Sequence, residues 1–207
     1  MDRKVFVFLL CFFLYSCEST RSDSSDEVKL LSSEVAEDFK RQAQESLNPL
    51  KKNLMATLMR ELEKSAAHAV KACQLEAPMI SERAEQETRV VKVNEKEYSI
   101  KLGRTSHRVR NQDNLPAKWV QTYLDSFKGR KDISNQEEII VVKLDQGSFG
   151  YLEPISLGPM CMTCHGGDID EDLYGVILSQ YPDDRAIDFD LGEFRGFFWV
   201  EFHENRP

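Results

Sequence analysis

The segment Cys161-Met162-Thr163-Cys164-His165 constrains this chain more than any other. Two thiols three positions apart, with an imidazole directly behind, suit three chemistries. A zinc site needs four donors in a tetrahedron, so this would be half a site and would want a second Cys or His pair elsewhere. A redox disulfide needs only the two thiols, usually in a thioredoxin-like setting. A c-type haem uses all three residues: two thioether bonds from the cysteines, and the histidine as an iron ligand. Only the last gives His165 a task, and a fold that carries it must wrap a flat, mostly apolar group.

The compartment bears on the choice. Asp2-Arg3-Lys4 is followed by an apolar run from Val5 to Tyr15. Eleven residues are too few to span a bilayer as a helix, which takes about 20, but suit the apolar centre of a secretory signal. Leu14-Tyr15-Ser16-Cys17 resembles a bacterial lipoprotein signal, with cleavage before Cys17 and a diacylglyceryl group on its thiol; a plain signal peptide is the alternative. The expected organisation is a signal over 1–16, a polar, Ser-rich tether over 17–32, and one domain over 33–207. The protein is then exported, facing the periplasm or outer surface of a bacterium and held to the membrane through Cys17. Its net charge is −8, and loss of the +1 segment 1–16 makes it −9. That acidity argues against nucleic acid as a partner.

Of the five cysteines, Cys11 leaves with the signal, Cys17 takes lipid, and Cys161 and Cys164 take haem. Cys73 is left over. It lies on an apolar stripe through Leu50, Leu54, Leu58, Leu62, Ala66, Ala69, Cys73, Ala77 and Ile80, which predicts one long helix. Asn48 reads as its N-cap with Pro49 in the first turn, and Pro78 should end or bend it. An inward cysteine is ordinarily just a small hydrophobe. Here the open sixth position of a His165-bound iron offers it another role. His68 stands about 140° around the helix from Cys73 and points away. His107, in a charged loop, competes with Cys73 as the second ligand. His203 closes a strand, and Met160 and Met162 adjoin the attachment cysteines.

Downstream, "TRVVKVNEKEYSIKLG" predicts a hairpin and "AKWVQTYLDSF" an amphipathic helix. "EEIIVVKLDQGSFGYLEPISL" predicts a second strand pair, turning near Gln146-Gly147, and "FRGFFWVEFHE" a last strand. Between them "DIDEDLYGVILSQYP" predicts a helix ended by Pro182. The expected fold is α+β: a PAS-like antiparallel sheet of about five strands, with a long N-terminal helix and flanking helices.

Four stretches, "AHAVKACQLEAPMISER", "LGRTSHRVRNQDNLPAKW", "YLEPISLGPMCMTCHG" and "YPDDRAIDFDLGEFRG", resemble in order the Tll0287-like (DUF3365) haem domain over about residues 60–202. The resemblance implies a PAS-like fold with one covalent haem c, thioethers at Cys161 and Cys164, His165 as proximal ligand and Cys73 as distal thiolate. It also implies redox or small-gas sensing. His107 stands where the family usually has an apolar residue, and Asp188 where glycine is common, so the loop at 188 is expected to differ in shape. Arg104, Arg108, Arg110 and Arg195 are candidates for the haem propionates.

The leading expectation is a sensor of redox state or of a small gas such as CO or NO, working through a displaceable Cys73 thiolate. It would pass its signal to a protein partner. An electron-transfer cytochrome, docking through the acidic "GGDIDEDLYG", is the second reading, and a haem-free thiol–disulfide protein the third. No Ser-His-Asp order, carboxylate pair or phosphate loop points to an enzyme.

Overall fold

A computed structural model describes residues 33–131, 133, 138–145 and 147–205. The expected signal, the lipidated Cys17, the tether and Gln146 lie outside the described residues. Two helices open the fold, α1 (Ser33–Leu62) and α2 (Ala66–Glu87). A hairpin follows of β1 (Val90–Val93) and β2 (Lys96–Thr105), then α3 (Lys118–Phe127) and the hairpin β3 (Ile140–Asp145) and β4 (Ser148–Ser156). The one-turn α4 (Met162–His165), α5 (Glu171–Gln180) and β5 (Phe194–Glu204) complete it. The five strands form one antiparallel sheet in the order β1-β2-β5-β4-β3, as the α+β reading expects.

The expected single helix from Asn48 is corrected. Residues from Ser33 onward are helical, and Pro49 lies inside α1 rather than at its start. A mid-helix proline costs about 3 kcal/mol. Phe39, Ala43, Leu47 and Leu50, all almost fully buried on either side of it, offset that at about 1.5–3 kcal/mol for each large side chain. The stripe is also not one helix. It breaks at 63–65, where the Ser65 hydroxyl accepts the His68 N–H at 3.2 Å and caps a second helix. Pro78 does not end α2, which runs on to Glu87. The chain folds back at the break, so Phe39 near the start of α1 and Ala84 near the end of α2 share one core.

That core rests on one face of the sheet, against Tyr98, Ile100, Leu102, Tyr151, Val200 and Phe202. The alternate residues Leu152 and Phe197 face the other way and meet Val120, Leu124 and Phe127 of α3. Asn94 and Glu95, with φ of 49° and 64°, make the two-residue turn between β1 and β2.

β5 threads between β2 and β4, and its approach to the end of β2 is unusually close. Gly196 has φ +154°, and a Cβ there would lie 2.1 Å from the Thr105 carbonyl oxygen. Gly196→Ala is therefore expected to cost about 3 kcal/mol, measured by urea unfolding, from strained backbone and backbone overlap together.

Candidate functional site

Beside the end of the β2–β5 pair, the helical hairpin leaves a cleft with a cavity volume of about 260 Å³. Leu54, Leu58 and Leu62 of α1 and Val70 of α2 form its apolar wall. Cys73, Arg104, Arg110, Cys161, Cys164, His165 and Arg195 all line it as well, so residues spread over 122 positions (73 to 195) converge on one space.

The Cys161–His165 segment is held by two short turns. Pro159–Cys161 is a tight 3₁₀ turn that runs directly into α4. Cys164 packs among Ala66, Val70, Leu173, Ile177 and Tyr181, while Cys161 packs beside Leu157, Ala186 and Phe189. Cys73, Cys161 and Cys164 are free thiols.

The His165 ring is fixed from one side. Its Nδ1 lies 2.6 Å from the Ala186 carbonyl oxygen. A carbonyl only accepts, so Nδ1 carries the proton and Nε2 keeps a lone pair. Burial, with Arg195 and Arg110 near, holds the imidazole pKa well below its usual value, so the ring is neutral. The same loop ties down the backbone: Phe189 N–H donates to the His165 carbonyl at 3.0 Å and Asp188 N–H to that of Gly166 at 3.1 Å. Asp188 has φ 58°, a conformation that suits glycine and that aspartate tolerates. The loop expected to change shape at 188 thus adopts a backbone that glycine would also allow.

The four arginines separate. Arg110 is committed: it pairs with the buried Asp184 at 3.0 Å and donates to the Cys164 carbonyl at 2.6 Å and to the Ala186 carbonyl at 3.2 Å. Arg108 does not line the cleft. It lies over the Phe189 ring at 3.5 Å, pairs with Glu193 at 2.8 Å and donates to the Ile187 carbonyl. Arg104 and Arg195 remain, and among the described residues neither forms an ion pair with an acid. Arg195 donates to the Arg108 carbonyl at 3.0 Å, and burial, Arg110 and Arg104 push its pKa down to about 9. At neutral pH it remains a cation, in a space that favours an anionic guest.

Cys73 is half-buried and lines the cleft. Burial pushes the thiol pKa up, while Arg104 and Arg110 draw it back. His107 lies in the charged loop after β2, as expected, but its ring turns inward. Its ring lies stacked on Phe194 at 5.9 Å and edge-on to Phe189 at 5.8 Å, and neither nitrogen has a hydrogen-bond partner among the described residues. Burial, then Arg108 and Arg195, lowers its pKa to about 4. It does not line the cleft. His68 is exposed, as its angle to Cys73 requires. His203 sits on the outer part of β5, near Ser148 and Glu201.

Two participants escaped the sequence reading. The Ala186 carbonyl has no side-chain signature, and Asp183-Asp184 does not reveal which carboxylate turns inward. The acidic run beside α4 is partly structural, since Asp170 caps α5 by accepting the Leu173 N–H at 3.0 Å. No helix of the described residues is long and apolar enough to cross a membrane.

A family model described as "Tll0287-like: Tll0287" matches residues 18–202. The solved structures include a match, the crystal structure of the cyanobacterial heme-protein Tll0287, at 18% identity and a TM-score of 0.46, covering 77% of this chain and 99% of that one. No curated protein matches.

Proposed function

The chain belongs to the Tll0287-like family, and from that premise we propose that the cleft holds one covalently attached haem c. We further propose that the protein is an exported, lipid-anchored sensor of redox state or of a small gas of the CO or NO type. The observation that carries this reading is the meeting of Cys161, Cys164, an Nδ1-protonated His165 and Cys73 around one apolar cleft.

The residues present fit such a group. Cys161 and Cys164 supply the two thiols for thioether attachment. Metal-binding histidines commonly donate their second ring N–H to a carbonyl, as His165 does to Ala186, which leaves Nε2 free to bind. Leu54, Leu58, Leu62 and Val70 would cover the apolar faces, while Arg104 and Arg195 would receive the propionates. Haem bound here would supply one-electron redox chemistry and an iron able to take a small ligand.

Cys73 is the natural moving part. Burial raises the pKa of its thiol and Arg104 and Arg110 only oppose that shift, so the thiol holds its proton unless a metal replaces it. It is carried by α2, which packs on α1, the element following the proposed tether. A change at Cys73 would therefore shift the helical hairpin rather than the sheet, and a partner protein would read that shift.

Expression alongside a cytochrome c attachment system tests the proposal. The intact mass should rise by one porphyrin that resists acid extraction, and Cys161→Ala with Cys164→Ala should abolish the gain. A colourless chain of unchanged mass would overturn the reading.

A further inference from the structure

Cys73 and Arg104 line a second cavity as well as the cleft. It has a volume of about 270 Å³ and lies between the second half of α2, β2 and the segment 111–115. On α2 its wall is the continuation of the Cys73 face: Cys73, Ala77 and Ser81 recur at steps of four, so they stack on one side of the helix. The Ser81 hydroxyl turns back to the Ala77 carbonyl at 3.1 Å, so both positions leave the space open. Trp199 and Leu102 supply apolar surface on the sheet side, and Asn114 supplies an amide.

The space, about 270 Å³, is open to solvent, with the exposed Pro78, Asp113 and Leu115 in its lining, so a small molecule reaches Cys73 from outside through it. Its inner end is the one thiol that the proposed function requires to give way. The cleft on the other side of Cys73 would be filled by the haem, which leaves this chamber as the approach to the Cys73 side.

We propose that the second cavity is the access and holding chamber for the small uncharged molecule that takes the place of Cys73. The inference rests on the haem reading. Molecules of two or three heavy atoms suit the mixed lining of one guanidinium, two amides, a hydroxyl and apolar surface. Larger anions are disfavoured because Glu85 and Asp113 also line the chamber.

The test is a graded series at Ser81, with carbon monoxide as the probe. In the haem-loaded, reduced protein, Ser81→Leu should slow CO binding about tenfold, a change within the span that variants of one site show in association rate. Ser81→Phe should slow it further, and Ser81→Ala, which keeps the chamber open, should leave it within twofold of the parent. Haem content and the oxidised spectrum should be the same throughout, which separates this proposal from the haem reading itself. A CO rate unmoved by Ser81→Leu, especially with a raised melting temperature in the haem-free chain, would mark the chamber as a packing defect and overturn the proposal. If the chain takes up no haem, the haem reading falls and this proposal falls with it.

Discussion

Cys73→Ala, in haem-loaded protein, is expected to change the oxidised visible spectrum from a six-coordinate low-spin form to a high-spin or water-bound one. The residue lies in the cleft with His165; Met160 lines it too, but adjoins the attachment residue Cys161. His107 stacks between Phe189 and Phe194 outside the cleft, and His68 is exposed. The substitution should also let exogenous imidazole bind without having to displace a ligand, tightening its apparent affinity by about tenfold or more, as relief from an occupied state predicts. Haem content should not change, since Cys161 and Cys164 are untouched. An unaltered spectrum would remove Cys73 from the site while leaving the covalent attachment standing.

Arg110→Met should destabilise the fold by about 3–5 kcal/mol, because it strands the Asp184 carboxylate in the interior without its counter-charge. Asp184 has a fully buried side chain and Arg110 is the cation that pairs with it, at 3.0 Å. For a chain of this length the loss lowers the melting temperature by about 10 °C. The damage should concentrate at the site, because the same guanidinium fastens the Cys164 and Ala186 carbonyls. Arg110→Met with Asp184→Leu should recover much of the stability, since removing both members of a buried pair costs far less than removing one. If the double variant is no better than the single one, the pair does not carry this stability.

How much of this was legible beforehand depends on the kind of signal. Strand alternation and turn residues gave the hairpins, because a period of two and a positive-φ turn are local properties; Asn94 and Glu95 sit where the polar "NEKE" placed them. The helical stripe from Leu50 to Ile80 marked the right face and the wrong topology. A step of four from Leu62 to Ala66 reads the same whether the helix continues or folds back, so periodicity does not register the reversal that Ser65 caps. Pro49 misled because proline rules describe isolated helices, whereas here burial against the sheet outweighs the lost hydrogen bond; Pro78 likewise does not stop α2.

In the site, the motif pointed to Cys161, Cys164 and His165, and the inward stripe to Cys73, and the structure gathers all of them. The arginines were not separable in advance. Arg108 and Arg110 are two residues apart, yet one clasps Glu193 and the other Asp184, and both partners lie more than 70 positions away. A backbone acceptor such as Ala186 leaves no trace in residue identity at all.

The position of β5 carries a consequence for how such a protein is made. The strand that joins the two hairpins is residues 194–204, and it also delivers Arg195 to the cleft. While a chain emerges from its N-terminal side, both hairpins lack their common neighbour, and long-range strand pairing is slow to form. Cys161 and Cys164 precede that strand by about thirty residues, so under the proposed haem attachment they would be within reach of an attachment enzyme while the sheet is still in two halves. The order of the strands thus leaves an interval during biogenesis in which the thiols can be modified, before the last strand closes the enclosure around them.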